Sequence, residues 1–243
     1  MRMAVAGASG LIGSQVVAIA EDAGHEVVRM SRTHGVDLTR PTGLVEMLSG
    51  VEAVLDVTRS PAMERDRAVE FFTTVARNLG RAATAAGVRR TVVLSIVGID
   101  RAQDFDWYVA TLAHERAARE HCPGTCVLRS TQFHEFPAQV LARSLADGTA
   151  RVMDVPTQPV DSAEVARTLV EMALDPGCTD LELAGPRVER LVDLVRELVA
   201  RDGPAVVVEP GPAPTSMAAG AMLPGPGALI RGPDWRAWFA ARR

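Results

Sequence analysis

Met3-Ala4-Val5-Ala6-Gly7-Ala8-Ser9-Gly10-Leu11-Ile12-Gly13 is the stretch whose reading decides what this chain is. An apolar run suited to a β-strand ends at Gly7, and a segment with helical spacing follows at once over residues 11–23, with Gly24 placed to stop it. The three glycines stand at Gly-x-x-Gly-x-x-Gly spacing, and each answers a separate need. Gly7 permits a tight turn out of the strand, Gly10 removes the Cβ that would hold a phosphate away from the backbone, and Gly13 lets the helix close on the strand. The start of the helix then offers unpaired N–H groups to negative charge. The spacing departs from the commoner Gly-x-Gly-x-x-Gly, yet the strand–turn–helix context is that of a dinucleotide-binding loop. The backbone of Gly7, Ala8, Ser9, Gly10, Leu11 and Ile12 is therefore the expected pyrophosphate cradle.

The end of the second strand, expected over residues 25–30, separates two cofactors. A site for NAD wants Asp or Glu there to accept from the ribose 2′-hydroxyl. This chain has Met30-Ser31-Arg32 instead. A carboxylate would repel a 2′-phosphate, whereas the guanidinium of Arg32 and the hydroxyl of Ser31 can bind one, so NADP(H) is the expected cofactor. Asp37 is a candidate acceptor for the adenine amine, or a solvated loop carboxylate.

Working outward, strand-like and helical segments alternate. A short helix is expected over 44–48, strands over 51–57, 91–95 and 126–129, and helices over 67–86, stopping at Gly87, and over 107–120. Repeated strand–helix crossovers predict an α/β fold, a Rossmann-like doubly wound parallel sheet with helices on both faces. The pattern loosens after about residue 130: helices over 161–174 and 188–200 and strands over 181–183 and 205–208 precede a Pro-, Gly- and Ala-rich stretch, and Arg242-Arg243 reads as a solvated basic pair or a helix-dipole contact. One domain is expected over 1–243, with an NADP-binding core over 1–130 and a substrate-side elaboration over 131–243.

With 243 residues, 47% hydrophobic and 23% charged, the chain is long enough for one large α/β core. A net charge of −4 gives no reason to expect nucleic acid or an anionic membrane as partner. A small-molecule substrate is expected, with homodimerisation left open. No apolar run is long enough to span a bilayer and none resembles a signal peptide. Cys122, Cys126 and Cys178 read as free or buried thiols, which suits a cytoplasmic protein. No cluster has metal-ligand spacing, so no metal is expected.

Gly-Ala-Ser-Gly-Leu-Ile-Gly, the Ser31-Arg32 strand end, Leu94-Ser95-Ile96-Val97-Gly98 and Leu128-Arg129-Ser130-Thr131-Gln132-Phe133 together resemble the atypical short-chain dehydrogenase/reductases, with the NmrA-like NAD(P)H-binding branch the nearest. The resemblance implies that Val57, Thr58, Ser95, Thr111 and Thr131 line the cofactor, and that Thr58 and Ser95 sit toward its nicotinamide half. Enzymes of that superfamily use Tyr-x-x-x-Lys on the helix after the Ser95-type strand. The spacing puts both side chains on one helix face, where the lysine charge lowers the tyrosine pKa.

Here the segment reads Asp106-Trp107-Tyr108-Val109-Ala110-Thr111-Leu112, and all 26 Lys+Arg residues are arginine. Trp107 takes the tyrosine position and Thr111 the lysine position. The other register pairs Tyr108, the single tyrosine, with Leu112. Neither register rebuilds the pair. Ser95, Tyr108 and His134 remain the catalytic candidates, His134 because it follows the Thr131–Phe133 segment. His114 is, with His134, a candidate replacement acid or else an ordinary surface or core histidine, and His25 and His34 suggest nothing specific.

The expected activity is an NADPH-dependent oxidoreductase acting on an apolar, ring-containing carbonyl or conjugated compound. Two alternatives stay open: an NADP(H)-binding regulatory or sensor protein, and a non-redox cyclase or epimerase on the same scaffold.

Overall fold

Apolar strands and amphipathic helices alternate along a computed structural model that describes residues 1–202 and 206–242. The chain runs β1 (Arg2–Ala6), α1 (Leu11–Asp22), β2 (Glu26–Met30), α2 (Leu44–Met47), β3 (Ala53–Asp56), α3 (Arg65–Ala85), β4 (Arg90–Ile96), α4 (Asp106–His121) and β5 (Thr125–Ser130). It continues through α5 (Phe136–Ser144), β6 (Leu145–Ala146), β7 (Thr149–Met153), β8 (Pro156–Thr157), α6 (Ser162–Leu174), β9 (Leu181–Ala184), β10 (Glu189–Arg190), α7 (Leu191–Asp202), β11 (Val207–Gly211), α8 (Thr215–Ala218), β12 (Leu229–Ile230) and α9 (Trp235–Ala241).

The central sheet has the order β12-β9-β5-β4-β3-β1-β2 and is parallel, a Rossmann-like α/β arrangement. β2 lies on one side of β1 and β3 on the other, with Ala6 opposite both Met30 and Asp56. That reversal is the topological switch point at which open parallel sheets bind ligands.

Two compact units are distinguished by their internal contacts. The first comprises Met1–Ile96, Asp106–Arg129 and Ala163–Leu181, and the second Val97–Phe105, Ser130–Ser162 and the described residues of Glu182–Arg243. Within the first, Ala4, Ala6, Met30 and Val54 of the sheet pack with Leu44, Leu48, Val75, Leu79 and Ala83 of the helices. The apolar positions of α3 recur at the three- and four-residue spacing that buries one helix face. This helix starts two residues before the expected point because the Glu64 carboxylate accepts from the amides of Asp66 and Arg67 and caps it. It is followed by Gly87 in the left-handed region, as expected.

Within the second unit, β11-β7-β6 form one small sheet and β10-β8 another. The stretch expected as helix from 188 begins instead with β10, antiparallel to β8, and turns helical only at Leu191. The strand expected over 205–208 runs over Val207–Gly211, parallel to β7; Ala205 and Arg243 lie outside the described residues. Trp235 and Phe239 of α9 close over Leu194, and Arg242 sits over the Trp238 ring at 4.5 Å.

The cysteines correct an expectation. Cys126 on β5 and Cys178, after α6, form a disulfide, while Cys122 is the free, buried thiol. Burial pushes the Cys122 thiol up to about 12, with the Asp56 charge adding to the effect, so it is inert near neutral pH. The disulfide removes the cysteine argument for a reducing compartment. Among the described residues no helix is long and apolar enough to cross a membrane, and no group of His, Cys, Asp and Glu is placed to hold a metal ion.

Candidate functional site

The glycine loop shows which of its three glycines the protein itself requires. Gly7 has φ +88°, and a Cβ on it would stand 2.8 Å from the Val57 carbonyl oxygen. A Cβ on Gly13 would lie 2.1 Å from the Gly7 carbonyl oxygen, inside a backbone that cannot yield. Gly10 is different. It is the N-cap of α1 with ordinary extended dihedrals, and a Cβ there would meet nothing nearer than the Gly7 oxygen at 3.4 Å.

Packing within the chain therefore does not demand glycine at residue 10, whereas close approach of a phosphate would. No side chain caps α1 and no acidic residue occupies its first turn. The first turn thus carries no competing side-chain acceptor for its amides, the requirement a dinucleotide pyrophosphate imposes. The loop fits the group.

At the end of β2, Ser31 is buried, and its Oγ lies 2.6 Å from His34 Nδ1 and 2.9 Å from Thr33 Oγ1 across a short 3₁₀ turn. Arg32 is exposed beside them. Hydroxyls, an imidazole and a guanidinium make a cationic, donor-rich corner with no carboxylate among residues 31–34. His34 was not singled out by sequence reasoning; the Ser31-x-x-His34 spacing directly after a strand is the signal that would have found it. Asp37 is spent locally: its Oδ1 accepts from the amide and hydroxyl of Thr39 at 3.0 and 2.7 Å, and those bonds hold its carboxyl below the usual range. That leaves Oδ2, 3.5 Å from Arg40 Nε, as its less committed oxygen.

Beyond Gly7, on the β3 side of the switch, a buried polar chain comes into view. Asp56 Oδ1 accepts from the amide of Thr58 at 3.0 Å and from its hydroxyl at 2.7 Å, and Asp56 Oδ2 lies 2.9 Å from His114 Nε2. Both side chains are nearly sealed, at 1% and 2% exposure. Burial alone would push the Asp56 carboxyl up, but attraction to His114, its hydrogen bond and the two Thr58 donors outweigh it, so the carboxyl is held below its ordinary value. His114 is thus neither a surface residue nor a loose one. Its ring also stacks on Phe72 with centroids 4.7 Å apart.

Ser95, on β4, is buried, and its Oγ has no hydrogen-bond partner among the described residues. On α4, Tyr108 is 4% exposed. Trp107 packs edge-on against Phe72, with the Arg59 guanidinium 5.7 Å from its ring centre. The hydroxyl of Thr111 turns back to the Trp107 carbonyl at 2.8 Å, so at the position where relatives carry lysine the side chain bonds its own helix. Glu115, one residue past His114, makes a two-pronged pair with Arg129 of β5, both bonds 2.9 Å, which ties α4 to the sheet.

In the second unit, Thr131 Oγ donates to the Gln158 carbonyl at 2.6 Å, and Gln132 Oε1 accepts from Thr157 at 2.7 Å. His134 is 1% exposed; its Nε2 lies 3.2 Å from the Pro159 carbonyl, and its own carbonyl accepts from Trp235 Nε1 at 3.0 Å. Nδ1 is buried without a hydrogen-bond partner among the described residues. Burial lowers the pKa of His134, against weaker opposing pulls from Asp161, the Pro159 bond and Asp234, so the ring is neutral at pH 7 with its one N–H on Pro159. A neutral imidazole in that state has no proton to spare.

Residues 3–99 match the model of the NAD dependent epimerase/dehydratase family. No curated protein matches the sequence. Solved structures do. An Escherichia coli NADPH-dependent quinone oxidoreductase, complexed with NADPH, superposes with a TM-score of 0.67 at 21% identity, covering 86% of this chain and 78% of that one. An Agrobacterium tumefaciens short-chain dehydrogenase/reductase superfamily protein with bound NAD gives a TM-score of 0.66 at 20% identity, covering 88% and 86%. A Staphylococcus aureus nucleoside-diphosphate-sugar epimerase gives 0.70 at 14% identity, covering 91% of both chains. Reductases, epimerases and proteins binding either nicotinamide cofactor thus share this fold. What these likenesses share with this chain is the fold, with the family match confined to residues 3–99.

Proposed function

We propose that the protein is an NADPH-dependent reductase of an apolar, ring-containing carbonyl or conjugated small molecule, working without a tyrosine–lysine pair. The observation that carries this reading is the cofactor edge itself: an uncapped helix behind a glycine that only a ligand requires, flanked by Ser31, Arg32 and His34 and no carboxylate. The amides of Ala8, Ser9, Leu11 and Ile12 bind the pyrophosphate, those of Gly7 and Gly10 being already donated to the carbonyls of Met30 and Gly7, and Arg32 with Ser31 binds the 2′-phosphate. A reduced nicotinamide held there supplies a hydride. The role of Ser95 is to donate to the substrate oxygen, because its buried hydroxyl lacks a partner and such a group costs about 1–3 kcal/mol until a ligand satisfies it. The quinone oxidoreductase of the same fold supports the substrate class.

Tyr108 is buried with no lysine four residues on, and His114 and His134 are committed to Asp56 and Pro159. The proton then comes from water or from the substrate's own hydroxyl. Losing a positioned acid costs roughly 10²–10⁴-fold, while orienting the two reactants supplies more than that, so reduction is slowed and not prevented. A second reading has its own support. The family model is named for epimerases and dehydratases, whose substrates can turn over with no net change in the nicotinamide. The missing pair also suits a binding protein that senses NADP(H).

Pure protein mixed with NADPH and a panel of ketones and quinones separates these. Loss of the reduced-nicotinamide absorbance is expected. Conversion of substrate without that loss favours the epimerase reading, and tight binding with no conversion favours the sensor.

A further inference from the structure

The chain His114–Asp56–Thr58 joins Thr58, which the resemblance sets toward the nicotinamide half of the cofactor, to two buried residues, Asp56 and His114, that neither the glycine loop nor the reading of the substrate uses. Asp56 ends β3 opposite Ala6, the last residue before Gly7, and both oxygens of its carboxylate are engaged. His114 occupies Oδ2, and the amide and hydroxyl of Thr58 occupy Oδ1. A carboxylate this buried survives as an anion only with donors around it, and His114 is the donor that comes from outside the strand end. The imidazole cannot swing away, because Phe72 lies flat against it with 16° between the rings.

Two consequences follow for Thr58. Its amide and its only hydroxyl proton are both committed to Asp56, so its oxygen is left as an acceptor. The Val57–Thr58 segment is also held where it touches Gly7: a Cβ on that glycine would meet Val57 O at 2.8 Å and Thr58 N at 3.1 Å. The buried pair therefore fixes both the position and the polarity of the chain that borders the glycine loop on the β3 side. The adenosine end, with Ser31 and Arg32, belongs to β2 on the opposite side of β1. A dinucleotide crossing the switch point brings its nicotinamide riboside to the β3 side, and that half carries ribose hydroxyls and a carboxamide N–H₂, all donors.

We propose that His114 is a positioning residue for the nicotinamide riboside half of the cofactor, acting through Asp56 to present the Thr58 hydroxyl oxygen as an acceptor for a ribose hydroxyl or carboxamide donor. The inference rests on the NADP(H)-binding reading above. His114 exchanges no proton with substrate; its contribution is affinity for one half of one ligand.

The test compares NADPH with 2′,5′-ADP, which keeps the adenosine and both its phosphates and lacks the nicotinamide riboside. Affinities are measured by titration calorimetry for the natural protein, His114→Leu, His114→Gln and Thr58→Val. His114→Leu and Thr58→Val are each expected to weaken NADPH about tenfold, the size of one charge-supported hydrogen bond, and to leave 2′,5′-ADP within about twofold. His114→Gln, which can still donate to Asp56, recovers most of the loss. If His114→Leu does not fold, Thr58→Val and His114→Gln carry the comparison. NADPH affinity unchanged in Thr58→Val, or a loss shared equally by 2′,5′-ADP, overturns the proposal. Failure of the natural protein to bind either nucleotide overturns the cofactor reading beneath it.

Discussion

Each compact unit buries one histidine almost completely, and the two are put to opposite uses. In the first, His114 is matched to a carboxylate, and the pair's remaining hydrogen bonds run outward to Thr58 and the edge of the glycine loop. In the second, His134 has no carboxylate within hydrogen-bond reach among the described residues; it is tied to the Pro159 carbonyl, its own carbonyl anchors Trp235, and the Trp238 ring lies 5.0 Å away. On the reading proposed above, one histidine shapes a surface for a ligand, while the other ties loops to the C-terminal helix. A histidine near a motif in sequence is thus no guide to which it does. The partner on its ring nitrogen decides.

The contrast can be broken at three points. The largest effect belongs to the loop that His114 indirectly supports. Gly10→Val is expected to weaken NADPH by about 100-fold or more, since a displacement near 1 Å at a binding edge suffices for that. Residue 10 has ordinary extended dihedrals, and an added Cβ meets only the Gly7 oxygen, at 3.4 Å, so Tm should move by no more than about 4 °C. Calorimetry and thermal melts of the same sample decide it. Undiminished binding would show that no phosphate approaches there.

Arg32→Ala comes next. One lost charge-assisted contact predicts about 10- to 100-fold weaker NADPH, with NADH changed far less. Equal weakening of both would remove the 2′-phosphate role from the β2 end.

The smallest effect sharpens the other side of the contrast. His134 has a folded pKa below its ordinary value of 6.5, so unfolding takes up a proton between the two values. Its neutral form is unpenalised above pH 6.5. The fold then loses stability as pH falls from there to the lowered value, by at most about 1.4 kcal/mol per pH unit. Urea unfolding at pH 8 and pH 5.5 should show a larger loss for the natural protein than for His134→Gln, with NADPH affinity at pH 8 alike in both. A change in NADPH affinity would mean that the second histidine also serves the ligand.

The glycine loop was legible in the sequence because its demands are local: a turn with positive φ at Gly7 and a close approach at Gly13 are properties of neighbouring residues. The Ser31-Arg32 corner was half legible, and His34 escaped notice because its bond to Ser31 depends on a short turn that no apolar pattern marks. Asp56 could not be found. In Val-Glu-Ala-Val-Leu-Asp-Val nothing shows which carboxylate will be sealed, and its partner lies 58 residues away. The second unit was obscure for another reason. β6, β8, β10 and β12 have two residues each, too short for alternation to register.

The central claim is that the amino-terminal turn binds a nicotinamide dinucleotide carrying a 2′-phosphate. Titration calorimetry of the natural protein with NADPH, NADP⁺ and NADH tests it most directly. The account predicts saturable binding with the phosphorylated pair tighter than NADH; the absence of saturation with all three would contradict it.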